Sequence, residues 1–417
     1  MSFLPAKTVI LTIVKKILIF SLAYYPFVGG DGVAIKEITK RIDPKEIEFH
    51  MVTLRFDSKL PTLEKIGNVT VHRIGWTYGS ATTATMRALR FRIIKLWFQF
   101  GAAWYGLALD RKEKFDAVWS MMAHSAGVPG AIFKFFRPQA GFVLTLQEGD
   151  PPEHVERVMR PLWLLFARAF TAADVVQPIS VFLGEWARRR GFRGPLEVIP
   201  NGVDTENFAR AYPQDELESL KDSLGKKDDD VFLVTTSRLV RKNAVDDVIR
   251  ALSFLPEHIQ FLILGVGSEE DTLRSLAKGL GVESRVKFLG FVDHVEMPKY
   301  LRVSDIFVRP SRSEGMGNSF IEAMAAGLPV IATQEGGIAD FLFDAKRNPE
   351  KQTTGWAVNR DGPQEIARAV EDILSDNKAT SRVIETARAM ATETYDWDFI
   401  ARQMREKVFE QAFIQAI

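Results

Sequence analysis

Two carboxylates bracket a glycine-rich bend in the stretch Glu314-Gly315-Met316-Gly317-Asn318-Ser319-Phe320-Ile321-Glu322. The apolar run Asp305-Ile306-Phe307-Val308 precedes it and Ala323-Met324-Ala325-Ala326-Gly327 follows, so the pattern predicts strand, bend and helix. A helix start offers free backbone N–H groups and the positive end of a dipole, which suits a phosphate or a polarised sugar. The carboxylates would accept hydrogen bonds from sugar or ribose hydroxyls rather than bind phosphate. The same letters have a plainer meaning, because Ser319 and Glu322 also spell the S-x-x-E capping box.

Two series of strands and helices must position this bend. The first opens with Ile17-Leu18-Ile19-Phe20-Ser21-Leu22, a continuous apolar run expected of a strand buried on both faces, followed by a loop carrying Gly29 and Gly30. Strand patterns recur at 50–54, 69–74, 117–120, 142–146 and 175–178, with His124 and Gln147-Glu148-Gly149-Asp150 in loops just after two of them. Around Gly191 to Phe208 the composition shifts, and the run Gly194 to Asp204 combines a short strand with a Pro200-Asn201-Gly202 turn. The second series places strands at 232–236, 261–265, 286–289, 305–308 and 329–332, with helices at 243–254, 269–280, 296–302 and 319–326. The reading is an α/β chain of two doubly wound Rossmann-like domains. Its parts are an acceptor-side domain at 1–193, a second domain at 194–390 and a C-terminal helix at 391–417 packing back on the first. Between the strand ends of two such domains lies a ligand cleft.

Composition narrows the chemistry. Among 417 residues there are no cysteines, which removes disulfides, thiol nucleophiles and iron–sulfur sites and fits a reducing compartment. Six histidines without H-x-x-x-H spacing give no dedicated metal site. The net charge of +1 hides an asymmetry: residues 1–195 carry 27 Lys and Arg against 16 Asp and Glu, and the remainder 27 against 37. A basic first half predicts an anionic surface or ligand, and no nucleic-acid motif accompanies the charge. The basic, Trp-containing stretches Met86–Leu109 and Arg157–Phe170 are either core helices with their cations in water or elements lying on an anionic membrane. Neither 8–25 nor 93–109 is an uninterrupted membrane span, and Lys15-Lys16 after Phe3–Val14 speak against a secretion signal.

Taken in order, Pro200-Asn201-Gly202-Val203-Asp204, Ser237-Arg238-Leu239 with Lys242, Leu264-Gly265-Val266-Gly267, Phe288-Leu289-Gly290, Glu314 to Glu322 and Ala323 to Ala332 with Gly336-Gly337 resemble the retaining glycosyltransferases of family 4, which have the GT-B architecture. The resemblance covers essentially the whole chain and is strongest from 197 to 340. It implies that Arg238 and Lys242 hold a donor diphosphate, that Glu314 contacts the transferred sugar, and that Glu322 holds the ribose. Gly29, Gly30, Gly265, Gly315, Met316, Gly317, Asn318 and Ser319 complete the implied donor site.

The implied activity is transfer of a sugar from a nucleoside-diphosphate donor, UDP or GDP, to a hydroxyl of a saccharide or lipid-linked acceptor. It needs no metal and no cofactor, and it belongs in the cytoplasm or at the inner face of its membrane. Two departures stand out. Related proteins often carry a histidine where this chain has Gln147, which cannot hold positive charge, and glycine is common where Asn243 stands. His124, Gln147, Glu148 and Asp150 are the candidates on the sugar or acceptor side. The rival readings are a nucleotide-sugar 2-epimerase on the same architecture and a non-catalytic subunit weakened at Gln147.

Overall fold

The continuous apolar runs become parallel strands, because a strand covered by helices on both faces leaves no side for polar residues. A computed structural model describes residues 14–27, 29–76 and 89–415. The first sheet contains β1 (Lys15–Phe20), β2 (Ile47–Leu54), β3 (Leu63–Ile66), β4 (Val69–Ile74), β5 (Ala117–Met121), β6 (Gly141–Leu146) and β7 (Val175–Pro178). Its order is β3-β4-β2-β1-β5-β6-β7, parallel throughout except for β3, which forms a hairpin with β4. The sequence pattern misses β3, since Leu63-Glu64-Lys65-Ile66 is a short, half-exposed edge with no apolar run.

The second sheet contains β8 (Val231–Thr236), β9 (Ile259–Leu264), β10 (Val286–Gly290), β11 (Ile306–Arg309), β12 (Val330–Ala332) and β13 (Trp356–Ala357), ordered β10-β9-β8-β11-β12-β13 and wholly parallel. In each sheet the strand order reverses beside the first strand, between β1 and β5 and between β8 and β11. Such a reversal splays the loops at the carboxyl ends and opens a crevice there. Two sheets of this kind make the GT-B fold.

The short strand expected within Gly194 to Asp204 is reduced to one bridge, Leu196 to Val176. Pro195 and Pro200 lack the N–H a longer ladder needs. The expected helix at 243–254 is broken: a turn at Arg241–Asn243 meets Ala244 in the left-handed region (φ 53°) before the helix Val245–Ala251. The helix expected from Met86 is described from Leu89 to Glu113, and Met86, Arg87 and Phe3 to Ile13 lie outside the described residues.

The chain crosses between the sheets twice, side by side. Val203 N–H donates to the Tyr395 carbonyl (2.7 Å), and Thr205 Oγ1–H donates to Asp396 Oδ2 (2.9 Å). After the second crossing Trp397, Ile400, Met404, Val408, Phe409 and Ala412 enter the same core as Ile17, Ile19, Phe49 and Trp119 of the first sheet. The Phe409 ring lies 5.1 Å from that of Trp119.

Candidate active site

The cation loop follows β8. Gly265 adopts φ 153°, and a side-chain carbon there would collide with the Ser237 carbonyl; one at Gly267 would collide with the Leu239 backbone. These glycines therefore let the 237–243 loop lie flat on the end of β9, and Gly265 sits behind that loop. Asn243 donates to the Arg238 carbonyl (2.7 Å), a bond the left-handed Ala244 helps to frame. Arg238 itself is exposed, with no side-chain hydrogen bond or ion pair among the described residues. Lys242 crosses the cleft: its Nζ donates to the Gly149 carbonyl (2.6 Å) and lies 3.6 Å from the Asp150 carboxylate. Burial lowers the Lys242 pKa below its usual 10.5, Asp150 opposes, and Arg238 and Arg309 add to the lowering.

Arg309, the last residue of β11, organises the glutamate loop. Its buried guanidinium donates to Ser319 Oγ (2.5 Å), Ser311 Oγ (3.1 Å) and Asn243 Oδ1 (3.4 Å), and it pairs with Glu314. Burial pulls its pKa down to about 10, with repulsion from Arg238 adding and Glu322 opposing, so it stays charged at neutral pH. The bend turns at Gly317 (φ 95°), and the helix Asn318–Ala325 starts one residue before Ser319. The capping-box reading of Ser319 and Glu322 fails here. Neither side chain caps: Ser319 accepts from Arg309, and Glu322 Oε1 meets His294 Nε2 at 3.1 Å. The Met316 side chain is buried, so at that position only backbone can meet a ligand, whereas Asn318 is half-buried. His294 packs edge-on to Phe208, and its pKa is raised by the bond to Glu322 against the opposing effect of burial.

The opposite wall comes from the first sheet. Gly315 lies against the Glu148 carbonyl so tightly that a side-chain carbon there would collide with it, and Ser313 Oγ–H reaches the Gly149 carbonyl at 3.4 Å. Glu148 is buried rather than open to the cleft. Its Oε1 accepts from Ala123 N–H (2.6 Å) and faces His124 Nδ1 (3.4 Å), while Oε2 has no partner. Gln99 fixes the same loop from below through the carbonyls of His124 (3.4 Å) and Ser125 (3.1 Å). Gln147 pairs with Asn201 of the interdomain turn (2.9 Å). Gly29 and Gly30 are exposed where the helix Gly30–Thr39 begins, beside Asp31, whose pKa burial raises against its own and the Gly32 N–H bonds.

Beneath the cation loop Arg312 pairs with Asp246, Asp247 and Asp361 and donates to the Arg241 carbonyl (2.8 Å). Sequence reading missed Arg309, Arg312, Asp31 and His294. Only Arg309 carried a signal, a charge set directly after the apolar Ile306-Phe307-Val308. Among the described residues one group, Glu48, His50 and Glu113, has metal-ligand spacing, but Lys16 already bonds Glu113 (2.7 Å) and lies 3.6 Å from Glu48.

Comparison with known proteins bears on the family and the fold. The model described as "Glycosyltransferase Family 4" matches residues 28–207, and the one described as "Glycosyl transferases group 1" matches 217–390. A GDP-mannose-dependent monoacylated α-(1-6)-phosphatidylinositol monomannoside mannosyltransferase of Corynebacterium glutamicum is 30% identical over 308 residues, 70% of this chain and 76% of that protein. The α-monoglucosyldiacylglycerol synthase of Acholeplasma laidlawii is 22% identical over 347 residues, 79% of this chain and 82% of that protein. Among solved structures, Anabaena HepE in complex with UDP and glucose superimposes with TM-score 0.72 at 21% identity, covering 95% of this chain and all of that one. The two-sheet fold and its facing loops define a GT-B transferase architecture. The chain belongs to the family 4, group 1 glycosyltransferases and is a glycosyltransferase enzyme.

Proposed function

We propose that the chain transfers a sugar from a UDP- or GDP-linked donor to a hydroxyl acceptor, with retention at the anomeric carbon. The observation that carries the reading is the convergence of Arg238, Lys242 and the N–H groups at the start of the helix Asn318–Ala325 on one wall of the cleft, opposite Gly149. A planar guanidinium, a compact ammonium and a helix dipole stabilise negative charge growing on a departing diphosphate. As the bond from anomeric carbon to phosphate oxygen breaks, the acceptor oxygen bonds to that carbon from the same face, and its proton passes to the leaving diphosphate. Glu322 turns from His294 to the ribose hydroxyls, and Glu314, held by Arg309, accepts from the sugar. Positive charge is supplied by the chain's own side chains, so activity is expected to persist in a chelator. A lipid-linked or saccharide acceptor, met at the inner face of the membrane, agrees with the lipid glycosides in the names of two relatives.

A thermal-shift screen of UDP- and GDP-sugars tests the donor half. A bound donor at 100 times its dissociation constant adds about 2.7 kcal/mol of stability. That gain is expected to vanish in Arg238→Ala and Lys242→Ala. A screen with no shift from any nucleotide sugar sinks the reading, as does release of a 2-epimer of the donor sugar without acceptor.

A further inference from the structure

The helix Leu89–Glu113 is apolar on two faces, and among the described residues only one of them is covered by the sheet. Inward, Ile94, Phe98, Ala102 and Ala103 are buried, and Gly106 lies against Leu18 and Phe20 of β1. Outward, Ile93, Leu96, Phe100 and Trp104 follow at helical spacing on a second stripe, and all are exposed, Trp104 at 57%. A helix that packs on a sheet ordinarily turns charged residues to water on that side. Here residues 89–109 contain no Asp or Glu.

The exposed stripe continues beyond its own helix. Trp104 stacks on Phe136 (5.3 Å between ring centroids), next to Phe135, which is 74% exposed at the end of the helix Val128–Phe136. At the cleft end Trp76, half exposed after β4, packs on Trp97 (5.0 Å). The helix Val128–Phe136 packs in turn on Trp163–Ala172, where Leu164 is 84% exposed and Arg168 lies one turn further on. Exposed cations lie along these helices and the segment leading into Trp163–Ala172, at Arg111, Lys112, Arg157, Arg160 and Arg168, with Glu153 the exposed carboxylate next to Arg157 and Arg160.

We propose that this three-helix layer is a docking face for an anionic lipid bilayer. Tryptophan and phenylalanine side by side with arginine and lysine match the boundary between acyl chains and negatively charged headgroups. Net charge points the same way, since residues 1–195 carry 27 Lys and Arg against 16 Asp and Glu. No described helix is long and apolar enough to cross a membrane, so the layer lies on the surface. The inner side of the same helix holds the His124 loop through Gln99, which sets the docking face behind the acceptor wall of the cleft. Delivery of a lipid-borne acceptor from this face rests on the transferase reading; docking itself does not.

Co-sedimentation of the full chain with vesicles containing an anionic phospholipid tests docking. Binding is expected at low salt, weaker as salt screens the exposed cations, and weaker with neutral vesicles. The triple variant Leu96→Gln, Phe100→Gln, Trp104→Gln is expected to lower partitioning about tenfold or more, a loss of about 1.4 kcal/mol or more. Its circular dichroism and its nucleotide-sugar thermal shift should match the parent, because these side chains face water. Three results would overturn the proposal: no vesicle binding by the parent at low salt, parental binding by the variant, or a self-associated parent that the variant makes monomeric. An absent donor shift with vesicle binding intact would count against the transferase reading alone.

Discussion

At the residue scale, the site depends on charges held where water is scarce. Lys242 is the clearest case: burial depresses its pKa, and a diphosphate in contact would draw the proton back. Donor KM is therefore expected to rise as pH climbs through a value below 10.5, and Lys242→Arg should remove that alkaline rise. A KM flat up to pH 10.5 would count against this role. Arg309 is held more deeply, paired with Glu314 and bonded to Ser319. Removing one member of a buried pair leaves the other charge uncompensated, so Arg309→Met should cost about 3–5 kcal/mol in urea unfolding. Adding Glu314→Gln should restore much of that loss, and additive losses would show that the pair is uncoupled.

At the element scale, the candidate site residues lie in the loops at strand ends and at the start of the helix Asn318–Ala325, and each loop is tied to a neighbour. Gly265 and Gly267 seat the cation loop on β9, and Arg312 ties that loop to Asp246, Asp247 and Asp361. Asp247 is nearly buried, and burial with the neighbouring Asp246 raises its pKa from 3.8 to about 6 in spite of Arg312. Between those values the folded protein binds more protons at Asp247 than the unfolded chain. Its contribution to stability therefore falls as pH rises through that window. Asp247→Asn should flatten the slope of unfolding free energy over pH 3.8 to 6, and an unchanged slope would assign it to other groups.

At the scale of the whole molecule, the chain ends on the sheet where it began. The C-terminal helices complete the core around β1, β2 and β5, with Phe409 fully buried beside Trp119 and Phe49. Phe409→Ala should cost about 3–5 kcal/mol. Hydrogen exchange should quicken first in β1 and β5, and uniform quickening across both sheets would show that the two halves unfold as one. The paired crossings at Val203 and Tyr395 join the two walls of the cleft by backbone, and the bonds of Lys242 and Ser313 to the Gly149 carbonyl join them across it.

Much of this was legible in the sequence. Buried parallel strands are apolar at every position, so β1, β6, β8 and β9 could be read within a few residues, whereas the short edges β3 and β13 leave no such trace. The order and spacing of many short motifs, from Pro200-Asn201-Gly202 to Gly336-Gly337, identified the family where no one of them would. Side-chain partners were another matter. Ser319 and Glu322 satisfy a capping motif in letters, yet the start of the helix at Asn318 turns them to Arg309 and His294. Gln147 read as a substitution of uncertain effect, and the fold pairs it with Asn201, 54 positions away. The sequence by itself determined the succession of the longer strands along the chain, the family and the candidates Arg238, Lys242, Glu314 and Glu322, because these follow from local periodicity and motif spacing. Only the tertiary structure decided which charges are buried, which partners they take and which apolar stripe faces water, because those depend on contacts between segments far apart in the chain.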